Sequence, residues 1–212
     1  MRKALAALAT VAPTMPAEPS ASPPFPVELR ERLARREPAA LAHFFDAYFE
    51  RVYGYLRRLV PDEHQAEDLT QDVFLQVHRA LSSYDPTRDP RPWLFTIATN
   101  KLRDHWRARP AGGELSLDDE ELGLGARAVE VPPEAAASEE ELATRVRAAI
   151  DALPAGLRAT VLLRVYEGLP FEEIARILGR NEVAVRKRYS RGLALLRESL
   201  GVLWKLHAEG SR

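Results

Sequence analysis

Residues 167–197 read EGLPFEEIARILGRNEVAVRKRYSRGLALLR, and the spacing within them decides the fold. Pro170 suits the opening of a helix and Gly179 its end, which predicts a short helix of about two turns. A second, longer helix follows after only a tight turn. A short helix, a glycine turn and a long basic helix are the pattern of a helix-turn-helix. At about 100° per residue the long helix turns Val185, Tyr189, Leu193 and Leu196 inward. Lys187 and Arg191 point away, and Arg186 and Arg188 flank the inward face. No acid occurs from Val183 to Arg197. In such a motif the first turns of the second helix meet base edges in the major groove. That nominates Glu182, Val183, Arg186 and Lys187 for bases, and Arg188 and Arg191 for phosphates. An acid at a helix start also favours the dipole, so capping is the stronger expectation for Glu182. A plain helical hairpin would share the pattern without binding anything.

A second stretch reads RPWLFTIATNKLRDHWRAR, at residues 91–109. Pro92 fits a first helical turn, and Leu94, Ala98, Leu102 and Trp106 step by four as a buried stripe. Thr96, Asn100, Arg103 and Arg107 fall on the other side, with Trp93 at the helix start. Arginine binds phosphate, an amide can bond a base edge, and an aromatic ring can stack on an unpaired base. A solvated charged face with Trp93 as a core plug is the plainer reading of the same residues.

Upstream, Leu41, Phe45, Tyr48, Val52, Tyr55 and Leu59 form an amphipathic stripe that Pro61 ends. Asp62 is placed to cap the next helix, on which Ala66, Leu69, Val73 and Val77 share a face. Pro86, Pro90 and Pro92 punctuate a loop before the second stretch. Ser138 to Glu141 form a capping box, and Leu142, Val146 and Ile150 continue its helix. Pro154 opens another helix, which Gly168 closes. No strand alternation and no internal repeat is visible. The expectation is therefore all-α, with two small helical domains at 28–109 and 138–207. Residues 110–137, rich in Gly, Pro and acids, read as a flexible linker, and 1–27 as a disordered Pro/Ala-rich leader. The basic tip and short apolar run of that leader also fit a signal peptide weakly.

The chain of 212 residues has a net charge of only −1, which at first argues against a nucleic-acid partner. The distribution argues otherwise: residues 110–141 carry −9 and the remainder +8. The sequence has no cysteine, which excludes disulfides and thiolate metal sites. No apolar run approaches a membrane span. His43, His64, His78, His105 and His207 are scattered, and no nucleophile has a nearby base. No catalytic residue, cofactor or metal is expected, and an enzyme is disfavoured.

The blocks AEDLTQDVFLQVHRAL, RPWLFTIATNKLRDHWRAR and EGLPFEEIARILGRNEVAVRKRYSRGLALLR, in this order and around a linker, resemble bacterial RNA polymerase sigma factors. The two-domain layout is similar to the extracytoplasmic-function (ECF) group, which keeps only region 2 and region 4. The resemblance implies a promoter-specificity subunit in the cytoplasm, with core polymerase (clamp coiled coil and flap) and promoter DNA as partners, and an anti-sigma factor as a further one. It assigns Glu67, Asp68, Gln71 and Asp72 to the polymerase clamp. It assigns Tyr84 and the loop to Trp93 to capture of a flipped minus-ten base, with Asn100 lining the pocket; Thr96, Arg103 and Arg107, on the same face by spacing, are expected at the same minus-ten strand. It gives the helix-turn-helix to the minus-thirty-five duplex. Relatives usually carry Gly-Thr at Val183-Ala184 and Ser at Lys187, so the upstream sequence preference is open. A stand-alone helix-turn-helix regulator remains the alternative. It would explain the second domain and leave the Asn100 face and the Asp68 patch unused.

Overall fold

The computed structural model describes residues 25–108, 117 and 139–209, with side chains outside 139–142 and 202–209. Nearly all of the expected leader and linker, and Ser138 of the capping box, lie outside the described residues. Among the described residues there are eight α-helices and no strand: α1 Val27–Ala34, α2 Pro38–Arg57, α3 Glu63–Ala80, α4 Pro90–Arg107, α5 Glu139–Asp151, α6 Ala155–Val165, α7 Phe171–Leu178 and α8 Glu182–Glu209. A 3-10 turn at Leu81–Ser83 follows α3, and α8 is broken at Gly201 (φ 23°, ψ −94°).

In the first domain α2, α3 and α4 pack on one another, with α1 against α2. Ala40, Phe44, Tyr48, Val52, Tyr55 and Leu56 are the buried face of α2. The stripe expected through Phe45 is thus one residue out at that turn. Phe44 is 1% exposed and Phe45 44%. The sequence places two phenylalanines side by side, and only the three-dimensional neighbours choose between them. Phe44 meets Phe25 at 5.6 Å and Tyr48 at 4.8 Å between ring centroids. Phe25 is 2% exposed, so the last residues of the expected leader belong to the folded domain. Helix α1 has a weak apolar signature, and Leu33 is its one buried residue. Arg36 ends it with a left-handed φ of 61°, where a glycine is usual. Asp62 stands at the start of α3 but makes no side-chain capping bond.

Beneath the site helix, Tyr55 Oη and Thr99 Oγ1 lie 3.1 Å apart in the core. Burial pushes the Tyr55 phenol up to about 12, so it stays a neutral hydrogen-bonding group. Leu94, Phe95, Ala98 and Leu102 of α4 are buried around this pair. Trp106, expected in the same stripe, is half-buried because it sits near the end of α4.

In the second domain α8 packs on α5, α6 and α7. Gly192 permits the closest approach of α6: a Cβ there would stand 2.9 Å from Val161 Cγ2 and 3.7 Å from Leu157 Cβ. Overpacking of this kind costs about 1–3 kcal/mol. Gly192→Leu is therefore expected to lower the urea midpoint clearly, whereas Ser190→Ala, at an exposed position, leaves it nearly unchanged. The two domains meet through α4 and α7.

Candidate nucleic-acid interface

Helix α4 begins with Asp89, whose carboxylate accepts from Arg91 N at 2.8 Å. The same carboxylate accepts from Arg91 Nε at 3.0 Å and Nη2 at 2.9 Å. The cap therefore fixes both the helix start and the first guanidinium. The outward line then runs as the spacing predicts. Asn100 is exposed, Thr96 and Arg103 are half-buried, and Arg107 is exposed. Arg103 Nη1 donates to Asn100 Oδ1 at 3.3 Å, so amide and guanidinium form one polar surface. Thr96 Oγ1 donates back to Pro92 O at 2.7 Å. Trp93 is half-buried and lies 5.2 Å from Tyr84, ring centroid to ring centroid.

Tyr84 departs from its expected place. It is 5% exposed, and its hydroxyl donates to Arg88 O at 2.8 Å. Its ring backs Trp93 and its hydroxyl closes the loop, so it is not presented to a nucleotide in this arrangement. The loop is shaped further by Asp85, which accepts from both Thr87 N at 2.9 Å and Thr87 Oγ1 at 2.7 Å. Those bonds hold the Asp85 carboxyl below its usual range.

Glu67, Asp68, Gln71 and Asp72 are all exposed on α3. Positions 68, 71, 72 and 75 share one face at helical spacing. Leu75, 56% exposed, extends that face with an apolar end the sequence reading did not single out. His64 Nδ1 stands 3.6 Å from Glu67 Oε2, within one turn.

The helix-turn-helix is built as the sequence suggests. Gly179 closes α7 in the left-handed conformation (φ 61°, ψ 37°), and Arg180 N donates to Ala175 O at 2.9 Å. The cap of α8 differs from the expectation. Asn181 Oδ1 accepts from Ala184 N at 2.8 Å, so Asn181 does the capping. Glu182 instead accepts from Arg186 Nε at 2.9 Å and Nη2 at 2.5 Å. Arg186 also lies 4.6 Å over the Phe171 ring, so its guanidinium is pre-positioned. Val183 is 64% exposed at the tip, and Lys187 and Arg191 face outward. Arg188 does not. It is 4% exposed, and its guanidinium lies beside Gly156 of α6. The angle assigned to it was at the border of the inward face, and α6 covers that border.

Residues of the two surfaces meet in a way the sequence did not disclose. A cleft of about 570 Å³ is lined by Asn100, Arg103, Asp104 and Arg107 of α4 and by Leu178, Gly179 and Arg180 of the turn. A second, of about 270 Å³, places Trp93 and Thr96 opposite Glu173 and Arg176 of α7. Glu167, 4% exposed, was missed altogether. Its carboxylate pairs with Arg51 of α2 and its carbonyl accepts from Arg91 Nη1 at 3.1 Å. Burial raises its carboxyl above the ordinary range, against the opposing pull of Arg51 and Arg91. Nothing local marks such a residue, because its partners stand 116 and 76 positions away. Among the described residues no cluster of acids and histidines is arranged to hold a metal, and no helix is long and apolar enough to cross a membrane.

Comparison with known proteins agrees with this geometry. The profile of sigma-70 region 2 matches residues 44–110, and that of sigma-70 region 4 matches residues 143–196. The ECF RNA polymerase sigma factor SigK of Mycolicibacterium vanbaalenii is 32% identical over 178 residues, which span 82% of this chain and 88% of that protein. The RNA polymerase sigma-H factor of Pseudomonas aeruginosa is 30% identical, over 82% of this chain and 92% of its own. Among solved structures, CnrH in complex with the cytosolic domain of CnrY superposes with a TM-score of 0.58 at 25% identity. That match covers 83% of this chain and 97% of CnrH. Two region-specific profiles in the right order leave no place for a helix-turn-helix regulator acting without polymerase. The chain belongs to the ECF group of RNA polymerase sigma factors, non-enzymatic subunits that direct core polymerase to promoters.

Proposed function

We propose that the three surfaces divide the work of a sigma factor as follows. The α3 face of Glu67, Asp68, Gln71 and Asp72, extended by Leu75, receives the clamp coiled coil of core polymerase. An acidic and amide surface with an apolar end suits a basic amphipathic partner helix. The α4 face holds the melted minus-ten strand. Asn100 reads a flipped base, Arg103 and Arg107 take phosphates, and Trp93 offers a stacking ring held by Tyr84. Thr96 lines the wall, its hydroxyl already engaged by the helix. Unstacking costs a few kcal/mol per step, offset by stacking and phosphate contacts that only the open strand makes. No bond is made or broken in this work. The observation that carries the reading is the continuous Asn100–Arg103 polar surface on a helix whose other side is fixed in the core.

The tip of α8 reads the minus-thirty-five duplex. Val183 suits a thymine methyl group, Arg186 is aimed by Glu182, and Lys187 and Arg191 take phosphates. Arg188 supports the helix from inside. An anti-sigma factor is the regulatory partner this reading adds, and the cytoplasm is the compartment in which polymerase works. Lys187→Ala and Arg191→Ala are each expected to weaken upstream duplex binding about equally for all sequences. Each should reduce the slope of log affinity against log salt by about one. Salt titrations of a fluorescent duplex check this. An unchanged slope in both variants would remove the phosphate assignment.

A further inference from the structure

We propose that the acidic linker is anchored on the second domain: Leu117 occupies a seat formed by Gly156 of α6 and Arg188 of α8, and leaves it when both promoter elements are held at once. Leu117 is the one described residue of 110–137. It is 2% exposed and joins the buried apolar cluster. A leucine within an acidic, Gly- and Pro-rich stretch gains apolar burial in this way without a fold of its own.

Gly156 shows what the seat accommodates. A Cβ at this position would stand 2.7 Å from Leu117 O and 3.4 Å from Leu117 C. The third atom it would meet is Arg188 Nη1 at 3.4 Å, the end of a flexible side chain. None of the three belongs to the apolar core of the second domain. Gly192 differs, since its Cβ would meet Val161 and Leu157 side chains. Glycine is a poor helix former, and α6 carries this one in its first turn, where alanine would serve the helix better. The bare backbone there makes room for the linker.

Charge favours the same occupant. Arg188 is 4% exposed, and a guanidinium withdrawn from water attracts acids strongly. Asp118, Asp119, Glu120 and Glu121 follow Leu117 directly in the sequence. One apolar residue followed by four acids is complementary to a bare helix turn beside a buried cation.

The anchor sets the reach of the tether. Residues 108 and 117 are 9 apart in sequence, whereas 108 and 139 are 31 apart. At about 3.6 Å per extended residue, the tether spans at most about 32 Å when seated and about 110 Å when free. Elements near minus ten and minus thirty-five lie about 25 base pairs apart, which is about 85 Å of duplex at about 3.4 Å per base pair. The seated tether, with a radius of gyration of about 11 Å for each domain, does not span that distance. The release rests on the assignment of the two domains to the two elements; the anchor in the free chain does not.

The absence of cysteine makes labelling specific. Spin labels at Ser116→Cys and at the exposed Ala194→Cys on α8 report the distance from linker to second domain in the full chain. The free chain is expected to give one narrow distance population. Leu117→Ser and Gly156→Ala should each broaden it, while Leu117→Met, of similar volume, keeps it narrow. Gly156→Ala should leave the thermal midpoint unchanged or raised, which separates release of the linker from damage to α6. A broad population in the unsubstituted free chain would overturn the anchor. So would a narrow one retained in both Leu117→Ser and Gly156→Ala. With core polymerase, on a promoter recovered by run-off transcription, the pair should move to longer distances. The seated distance retained there would overturn the release. If the chain directed no transcription at all, the free-chain distances would still decide the anchor.

Discussion

Asp68→Lys combined with Asp72→Lys is expected to lower affinity for core polymerase by about two orders of magnitude. Reversing two charges against a basic partner replaces attraction with like-charge contact, which costs several kcal/mol. About 3 kcal/mol is a hundredfold in Kd. Both residues are exposed on α3, away from every buried face, so the fold should change by no more than about 0.5 kcal/mol. Fluorescence titration of core polymerase measures the effect, and the thermal midpoint of the variant alone serves as control. The double variant should still bind duplex DNA through α8 as well as the original does. Parallel loss of polymerase and duplex binding would mean that the α3 face is not a separate surface.

Asn100→Ala is expected to produce the opposite division. The side chain is exposed and, among the described residues, accepts from Arg103, so its loss leaves the helix intact. A well-placed amide contact to a base is worth about 1–3 kcal/mol. Open-complex formation should therefore fall about ten- to hundredfold, while polymerase affinity stays within about twofold. Permanganate reactivity of promoter thymines reads opening, and the polymerase titration reads binding. Equal loss of both would remove Asn100 from the base pocket.

The same residues show what a sequence discloses and what it withholds. The helix-turn-helix was legible because its signals are local. Pro170, Gly179 and the spacing of Val185, Leu193 and Leu196 act within a few residues of one another, and all three apolar side chains are buried. The α4 stripe was legible for the same reason. Errors arose where a neighbour distant in sequence decides the outcome. Phe44 rather than Phe45 faces inward because Phe25 and Tyr48 receive it. Arg188 is covered because α6 lies over the border of its face. Tyr84 serves the loop because Arg88 O is within its reach. Asn181 caps α8 in preference to Glu182 because the first turn offers Glu182 the Arg186 guanidinium. Glu167 had no local signal at all. A lone acid before a glycine reads as turn decoration until Arg51 and Arg91 are brought to it by the contact of α4 with α7.

Run-off transcription tests the central claim most directly: purified core polymerase, fragments of the source genome, and this chain present or absent. Discrete new transcripts that require the chain, and that the Asn100→Ala variant yields at about a tenth or less, are the predicted result. An unchanged transcript pattern, with the chain binding the same fragments specifically in the absence of polymerase, would contradict it.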